Sequence, residues 1–393
     1  MKNTYYILLI IVLLSQLVNA KGSDPNEPND IITDPNILAF LISDPNEPND
    51  LTPDKHKHNT LPEDFHEAAL EPMTIYKATD LPELKYRLLP VKCQLTEEDA
   101  ADYYLKALKA VTDPNQYASG LIDHLLSTEK TNEDLQKLNS VIELLSTAGN
   151  CSNCSWDKFK KVKTPQLISN LKILTQILAK KASVQIENRN YKQAVDTIRT
   201  GLAFARNIAK GDTMIHGTQA VSTASIMLTQ LEALVQSPQA PSLLRSLQDM
   251  RRPLVNLSPI MQKESRLLYD EYSHFIAVNR RGRYINSERY DEMMQNLAEQ
   301  GALPPQVTSL MNRLDRFAAA LECFEAIRFY TSKYGSLPQS LSDIDEFQLP
   351  IDPVTQSHFH YICKDGRAIL KSTQSKKHPQ PSAAIKYELI YKK

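Results

Sequence analysis

Thr164–Ala205 reads TPQLISNLKILTQILAKKASVQIENRNYKQAVDTIRTGLAFA, and this stretch decides the fold. Thr164-Pro165 is a helix start, with Pro at the first helical position where its missing N–H costs nothing. Leu167, Ile168, Leu171, Leu174, Ile177 and Leu178 then recur at three- and four-residue spacing, which places them on one helical face. Asn188 to Asn190 is a tight turn. A second helix follows, with Ala194, Ile198, Leu202 and Ala205 on its inner face. Two antiparallel helices with matched apolar faces are the seed of a helical domain.

The same pattern extends in both directions. Toward the N-terminus, Thr96 with Asp99 resembles a capping box before Ala100, Tyr104, Ala107, Leu108 and Val111. Asp113-Pro114 is a further helix start, and Thr131 precedes Leu135, Leu138, Val141, Ile142 and Leu145. Toward the C-terminus, helices fit Thr213 to Val235, Pro259 to Val278 and Pro305 to Lys333. In the last, Val307, Leu310, Leu314, Phe317, Leu321 and Phe324 form a narrow seam that predicts packing against one other helix. After Tyr334-Gly335 the period changes from 3.6 to two. His358 to Cys363, Arg367 to Ser372 and Ala384 to Tyr391 read as strands, with Lys364-Asp365-Gly366 as the turn between the first two. The last strand is expected as a basic edge that resists strand addition. The fold class is therefore mainly α, a helical bundle or a short right-handed array of helical hairpins, with a small C-terminal antiparallel β unit.

The first twenty residues have a different logic. Lys2 precedes an apolar run from Tyr5 to Val18, and Val18-Asn19-Ala20 offers small residues for cleavage, the layout of a secretory signal peptide. The run is shorter than the ~20 residues that span a bilayer, so no stable membrane span is expected after cleavage. Ser23 to Asp30, SDPNEPND, recurs identically at Ser43 to Asp50, with a partial copy at Thr33 to Asn36. Residues 21–80 read as an acidic Pro/Asn-rich disordered linker, because such a composition buries too little apolar surface to offset ordering entropy. The apolar stretch Ile37 to Ile42 interrupts it. The expected organisation is a signal peptide over 1–20, the linker over 21–80, a helical domain over 81–335 and a β subdomain with a basic tail over 336–393. Export would remove the chain from ATP, NAD and the genome. A formal net charge of −1 gives no field for nucleic acid.

Several clusters invite chemistry. Cys151-Ser152-Asn153-Cys154 is a C-x-x-C, read as a local disulfide or a structural loop in preference to redox or zinc work. His358 and His360 fall on one face of a strand but Cys363 falls on the other, so no metal site is completed. His56, His58 and His66 lie in or near the linker with nothing to pre-organise them. The repeated Asp and Asn residues lack the Ca-loop pattern, and no metal or cofactor is expected. Arg280, Arg281 and Arg283, after Tyr269, Tyr272 and His274, form the densest basic–aromatic patch, suited to a phosphate or carboxylate. Glu264 lies beside the apolar stripe of Met261, Leu268 and Tyr272, and Asp270 lies close by in sequence. G-x-S-x-G, H-E-x-x-H, P-loop and G-x-G-x-x-G motifs are absent from the sequence.

Two stretches resemble known families. Ala179 to Ala209, with Ala182, Asn190-Tyr191, Ala194 and Ile198, looks like one tetratricopeptide hairpin, departing from the pattern at Lys181, Gln185 and Gly201. Ala326 to Pro338, then Ser340-Leu341, Leu349 to Pro353 and Phe359 to Tyr361, resembles the helix–loop–β-hairpin of type II secretion pseudopilins. The prepilin cleavage site, long membrane helix and acidic calcium-binding tail of that family are missing. The order from Leu84 to Ser372 also resembles a large group of uncharacterised exported bacterial proteins. The resemblance rests on Leu84 to Pro90, Cys154-x-Trp156, Arg252-Pro253-Leu254 and the pseudopilin-like end, and it implies no catalytic residues. These readings predict a periplasmic or secreted, non-catalytic protein that binds an envelope or secreted protein partner through its helical hairpins. The rival is an extracytoplasmic hydrolase or a carbohydrate- or small-ligand-binding protein. Its pocket between helices would use Glu264, Asp270 and the arginines Arg280, Arg281 and Arg283.

Overall fold

A computed structural model describes residues 70–78, 83–112, 132–160, 162, 164–264, 305–372 and 385–392. The fold is mainly helical with a small C-terminal sheet. The apolar faces read from the sequence drive the assembly. α1 (Ala100–Thr112) packs on α3 (Asn139–Gly149), which follows the short α2 (Asn132–Lys137) after a break at Leu138. α4 (Thr164–Glu187) and α5 (Tyr191–Ile208) form the expected hairpin, turning through Arg189 at φ 60°. α6 (Met214–Val235) lies against both. The α5–α6 crossing is close: a Cβ on Gly201 would sit 2.2 Å from Met227 Sδ. Leu171, Leu174, Ile177, Leu178, Ile198, Leu202 and Leu228 are fully buried in this layer.

α7 (Leu244–Gln248) and the long α8 (Pro305–Tyr334) complete the helical part, and residues 258–264 are also helical. The narrow seam expected of α8 is not what forms. From Leu314 to Phe329 every residue except Phe317 is buried. α8 is a central helix surrounded by α6, α7 and the C-terminal hairpin. Its charged residues Asp315, Arg316, Glu322, Glu325 and Arg328 are buried in the protein.

The sheet has strand order β1-β8-β7-β6. β6 (His360–Lys364), β7 (Arg367–Lys371) and β8 (Lys386–Tyr391) are antiparallel neighbours, with Gly366 at φ 79° in the turn between β6 and β7. β1 (Glu71–Ile75) pairs in parallel with β8. Two expectations are corrected here. The span read as linker to residue 80 contains a strand. β8 is an interior strand rather than the edge. The reason is tertiary: β1 places Met73 and Ile75 in the core, and the chain beyond it is tied to α8, where Ala78 N–H donates to Ser332 Oγ at 2.8 Å. A separate hairpin of β4 (Ile351–Asp352) and β5 (Ser357–His358) rests on α8.

Thr96 is not a helix cap. Thr96–Asp99 is β2, paired in parallel with β3 (Cys151–Asn153). Asp99 alone serves α1, accepting the Ala101 N–H at 3.0 Å and also the Ser155 N–H at 2.9 Å. Among the described residues no helix is long and apolar enough to cross a membrane. The signal-like run, the repeats, Ile37 to Ile42, His56, His58, His66 and Asp113-Pro114 lie outside the described residues.

Candidate functional site

Buried ion pairs on α8 are the densest polar chemistry in the core, and each ties a loop to the helix. Arg328, with no exposure, donates to Glu325 Oε1 at 2.7 Å, to the Tyr76 and Pro241 carbonyls at 3.1 Å each, and to the Ala240 carbonyl. Glu325 Oε2 accepts the Leu243 N–H at 2.7 Å and the Ser242 hydroxyl at 3.1 Å. One turn pattern earlier, Glu322 accepts from Arg252 at 2.6 Å and Asp315 accepts the Leu254 N–H at 2.8 Å. These bonds hold the Arg252-Pro253-Leu254 stretch, which contains a cis peptide. Arg316 grips Asp352 with two bonds of 2.8 Å, and Asp352 also accepts from Val354 N–H and the Thr355 hydroxyl. Charges buried this way cost little only because partners meet their hydrogen-bonding needs. The arrangement fixes geometry, and its charges are turned toward one another.

A second polar cluster gathers where α1, α5 and α6 begin or end. Trp156 is buried, donates from Nε1 to the Asn207 carbonyl at 2.8 Å and lies 5.1 Å, ring to ring, from His216. His216 Nδ1 is 2.9 Å from Thr213 Oγ1, and its Nε2 has no hydrogen-bond partner among the described residues. Burial pulls the His216 pKa down. Glu264 accepts the Met214 N–H at 3.1 Å, so this carboxyl caps α6 in place of the Thr213 side chain. Burial pushes the Glu264 pKa up to about 6, against which the Met214 amide acts only weakly. Lys263 clamps the same loop, donating to the Lys210 carbonyl at 3.0 Å and to Asp212 at 3.1 Å. Asp99 completes the edge of the cluster. Burial raises its pKa, but the Lys158 ion pair and the Ser155 and Ala101 amides outweigh burial and hold it below the ordinary value.

Of the expected site residues, Glu264 is placed as an α6 cap. Asp270, Arg280, Arg281 and Arg283 lie outside the described residues. Cys151 and Cys154 are both free thiols, as are the other three cysteines, so of the two readings of this C-x-x-C, a local disulfide or a structural loop, the disulfide is absent here. The extended β3 explains this: three extended residues separate the two Cα atoms by roughly 10 Å, beyond the ~7 Å a disulfide tolerates, and strand parity turns the side chains apart. Cys151 Sγ instead donates to the Thr147 carbonyl and accepts from Thr96 Oγ1. Burial pushes the Cys154 pKa up to about 12, which leaves little reactive thiolate. Among the described residues no group of three or more His, Cys, Asp or Glu is arranged to hold a metal. His358 and His360 are both exposed, either side of buried Phe359.

The helical hairpin has spent its apolar faces on the core, since α5 is buried from Thr200 to Ala205 without a break. The sheet has not. Ile362 of β6 is 55% exposed, the most exposed large apolar side chain among the described residues. Nothing in the sequence marked it, because alternation shows that a strand has an outer face and not that it ends a sheet. No protein-family model, curated protein or solved structure matches this chain.

Proposed function

We propose that this chain is an exported, non-catalytic interaction module of the cell envelope or its surroundings. The signal-like first twenty residues and the acidic repeats support export and a tethered domain. The observation that carries the reading is a contrast within the domain. The buried acids and bases of α8 are turned toward internal partners, whereas β6 has no strand on its outer side among the described residues and carries an exposed aliphatic side chain. Placed outside the cell, such a domain offers a rigid binding surface, and the buried acids and bases of its central helix are engaged with internal partners. The tetratricopeptide-like hairpin and the pseudopilin-like end would belong to that framework, the first as core and the second as the part that meets a partner.

The test is cross-linking and affinity purification from the native envelope fraction through a C-terminal tag. A stoichiometric protein partner is expected. Recovery of the chain alone, under conditions that preserve other envelope complexes, contradicts the reading.

One observation favours a second reading. Glu264, with its pKa near 6, reaches the first turn of α6 by accepting the Met214 N–H, and the buried His216 lies on that turn. An acid tuned toward neutrality suits general acid catalysis or the binding of a small polar ligand. Release of reducing ends from envelope polysaccharide, abolished in Glu264→Gln, would favour a hydrolase.

A further inference from the structure

The four-stranded sheet has two edges, and they are built differently. β1 is guarded: Pro72 has no N–H, and the Thr74 N–H is taken by Gln236 Oε1 at 3.0 Å. β6 has no strand on its outer side among the described residues. Such a row of outward N–H and C=O groups is a template for another strand unless something deters it.

The side chains around this edge specify what it would accept. Register places the outer face of the sheet in three rows. His360 stands opposite Lys371, which stands opposite Lys386. Ile362 stands opposite Ile369, which stands opposite Glu388. Lys364 stands opposite Arg367, which stands opposite Ile390. The middle row is therefore aliphatic at the edge, with basic or imidazole side chains two residues away on both sides. Arg367 is engaged by Glu388 at 3.1 Å, which leaves Lys364 as the exposed charge at the edge. The opposite face of β6 is closed: the Tyr361 hydroxyl donates to the Pro338 carbonyl at 2.9 Å, and Ala368 and Leu370, across from Cys363 and Tyr361, are buried.

We infer that the outer edge of β6 accepts an extended segment of a partner protein in which an aliphatic residue is flanked, two positions away on each side, by acidic residues. The proposal rests on the interaction-module reading and names its surface. Strand addition supplies main-chain hydrogen bonds, and alternate side chains supply selectivity. The aliphatic residue would lie against Ile362, and the acids would face His360 and Lys364, at the cross-strand spacing where opposite charges attract and like charges repel. The same side chains argue against a second copy. Antiparallel pairing of β6 with itself about Ile362 would set each Lys364 against an imidazole of the other copy instead of a carboxylate. Lys364 thus deters basic strands and favours acidic ones.

Fluorescence anisotropy on the full mature chain tests this, with the labelled peptide Thr-Asp-Thr-Ile-Thr-Asp-Thr and its counterpart carrying Lys for Asp. The Asp peptide should bind, more weakly as salt rises, and the Lys peptide should not. Ile362→Lys should weaken binding by about tenfold or more, and Lys364→Glu should also weaken it, with the melting temperature unchanged in both. Equal binding of the two peptides, or unaltered binding to Ile362→Lys, overturns the proposal. The cross-linking experiment repeated with Ile362→Lys separates the two levels. A partner captured equally by both chains removes the β6 assignment and leaves the interaction module standing. No partner with either chain, together with no peptide binding, removes both.

Discussion

α8 and β6 treat their polar groups in opposite ways. On α8, Glu325 and Arg328 are fully buried and bonded to one another and to two loops, one at Tyr76 and one at residues 240–243. On β6, the backbone edge and the Ile362 side chain face outward. A buried charge must find a partner inside the protein, because leaving it unpaired costs several kcal/mol. An exposed edge has water as its default partner and can exchange it for another chain. The difference separates a helix whose charged side chains are paired inside the protein from a strand whose outer edge has no partner among the described residues.

The sharpest way to break the contrast is to open α8. Arg328→Met leaves Glu325 buried without its cation and should cost about 3–5 kcal/mol in urea denaturation. The double variant Glu325→Leu with Arg328→Met should recover only part of this, since the Tyr76, Pro241 and Ala240 carbonyls lose their donor in both. Asp352→Ala removes the acceptor of both Arg316 bonds and should cost about 3 kcal/mol. It should also expose the β4–β5 hairpin to limited proteolysis within residues 351–358.

Glu264 gives a smaller and pH-dependent effect. Its folded-state pKa of about 6 stands above the ordinary value of 4.5. The folded state therefore binds this proton more tightly than the unfolded state. The stabilisation is fully present below pH 4.5 and is lost as pH rises through 6. Relative to Glu264→Gln, wild type should lose about 2 kcal/mol across that window. Stability curves at pH 4 to 7 check both the sign and the window. Smallest of all, Ile362→Lys should change stability by no more than about 0.5 kcal/mol, because the site is exposed, while it removes peptide binding. A large loss of stability in that variant would mean that β6 belongs with α8 as framework.

Much of the helical fold was legible because its signals are local. Thr164-Pro165, the Asn188–Asn190 turn and the three- and four-residue spacing of leucines are short-range patterns, and the helices follow them. What was not legible depends on partners distant in sequence. Met73 and Ile75 are only two apolar residues beside Glu71 and Pro72, and their strand exists because β8, more than three hundred residues later, receives it. Thr96 to Asp99 reads Thr-Glu-Glu-Asp, a polar run with cap chemistry, and becomes a strand by pairing with Cys151 to Asn153. Asp315, Arg316, Glu322, Glu325 and Arg328 look like a solvated face because a charge in sequence does not reveal whether its counter-ion is solvent or a buried side chain. For the same reason the candidate site was legible in alternation but not in position: β1 pairs with β8, and among the described residues no strand pairs with the outer side of β6.

Residue-resolved amide hydrogen exchange on the full chain measures the contrast most directly. Alternate amides of β6, those not bonded to β7, should exchange with almost no protection, while α8 amides from Ala318 to Thr331 should exchange only through global unfolding. Protection of every β6 amide to the level of β7 would show that the edge is already covered, and would contradict the account.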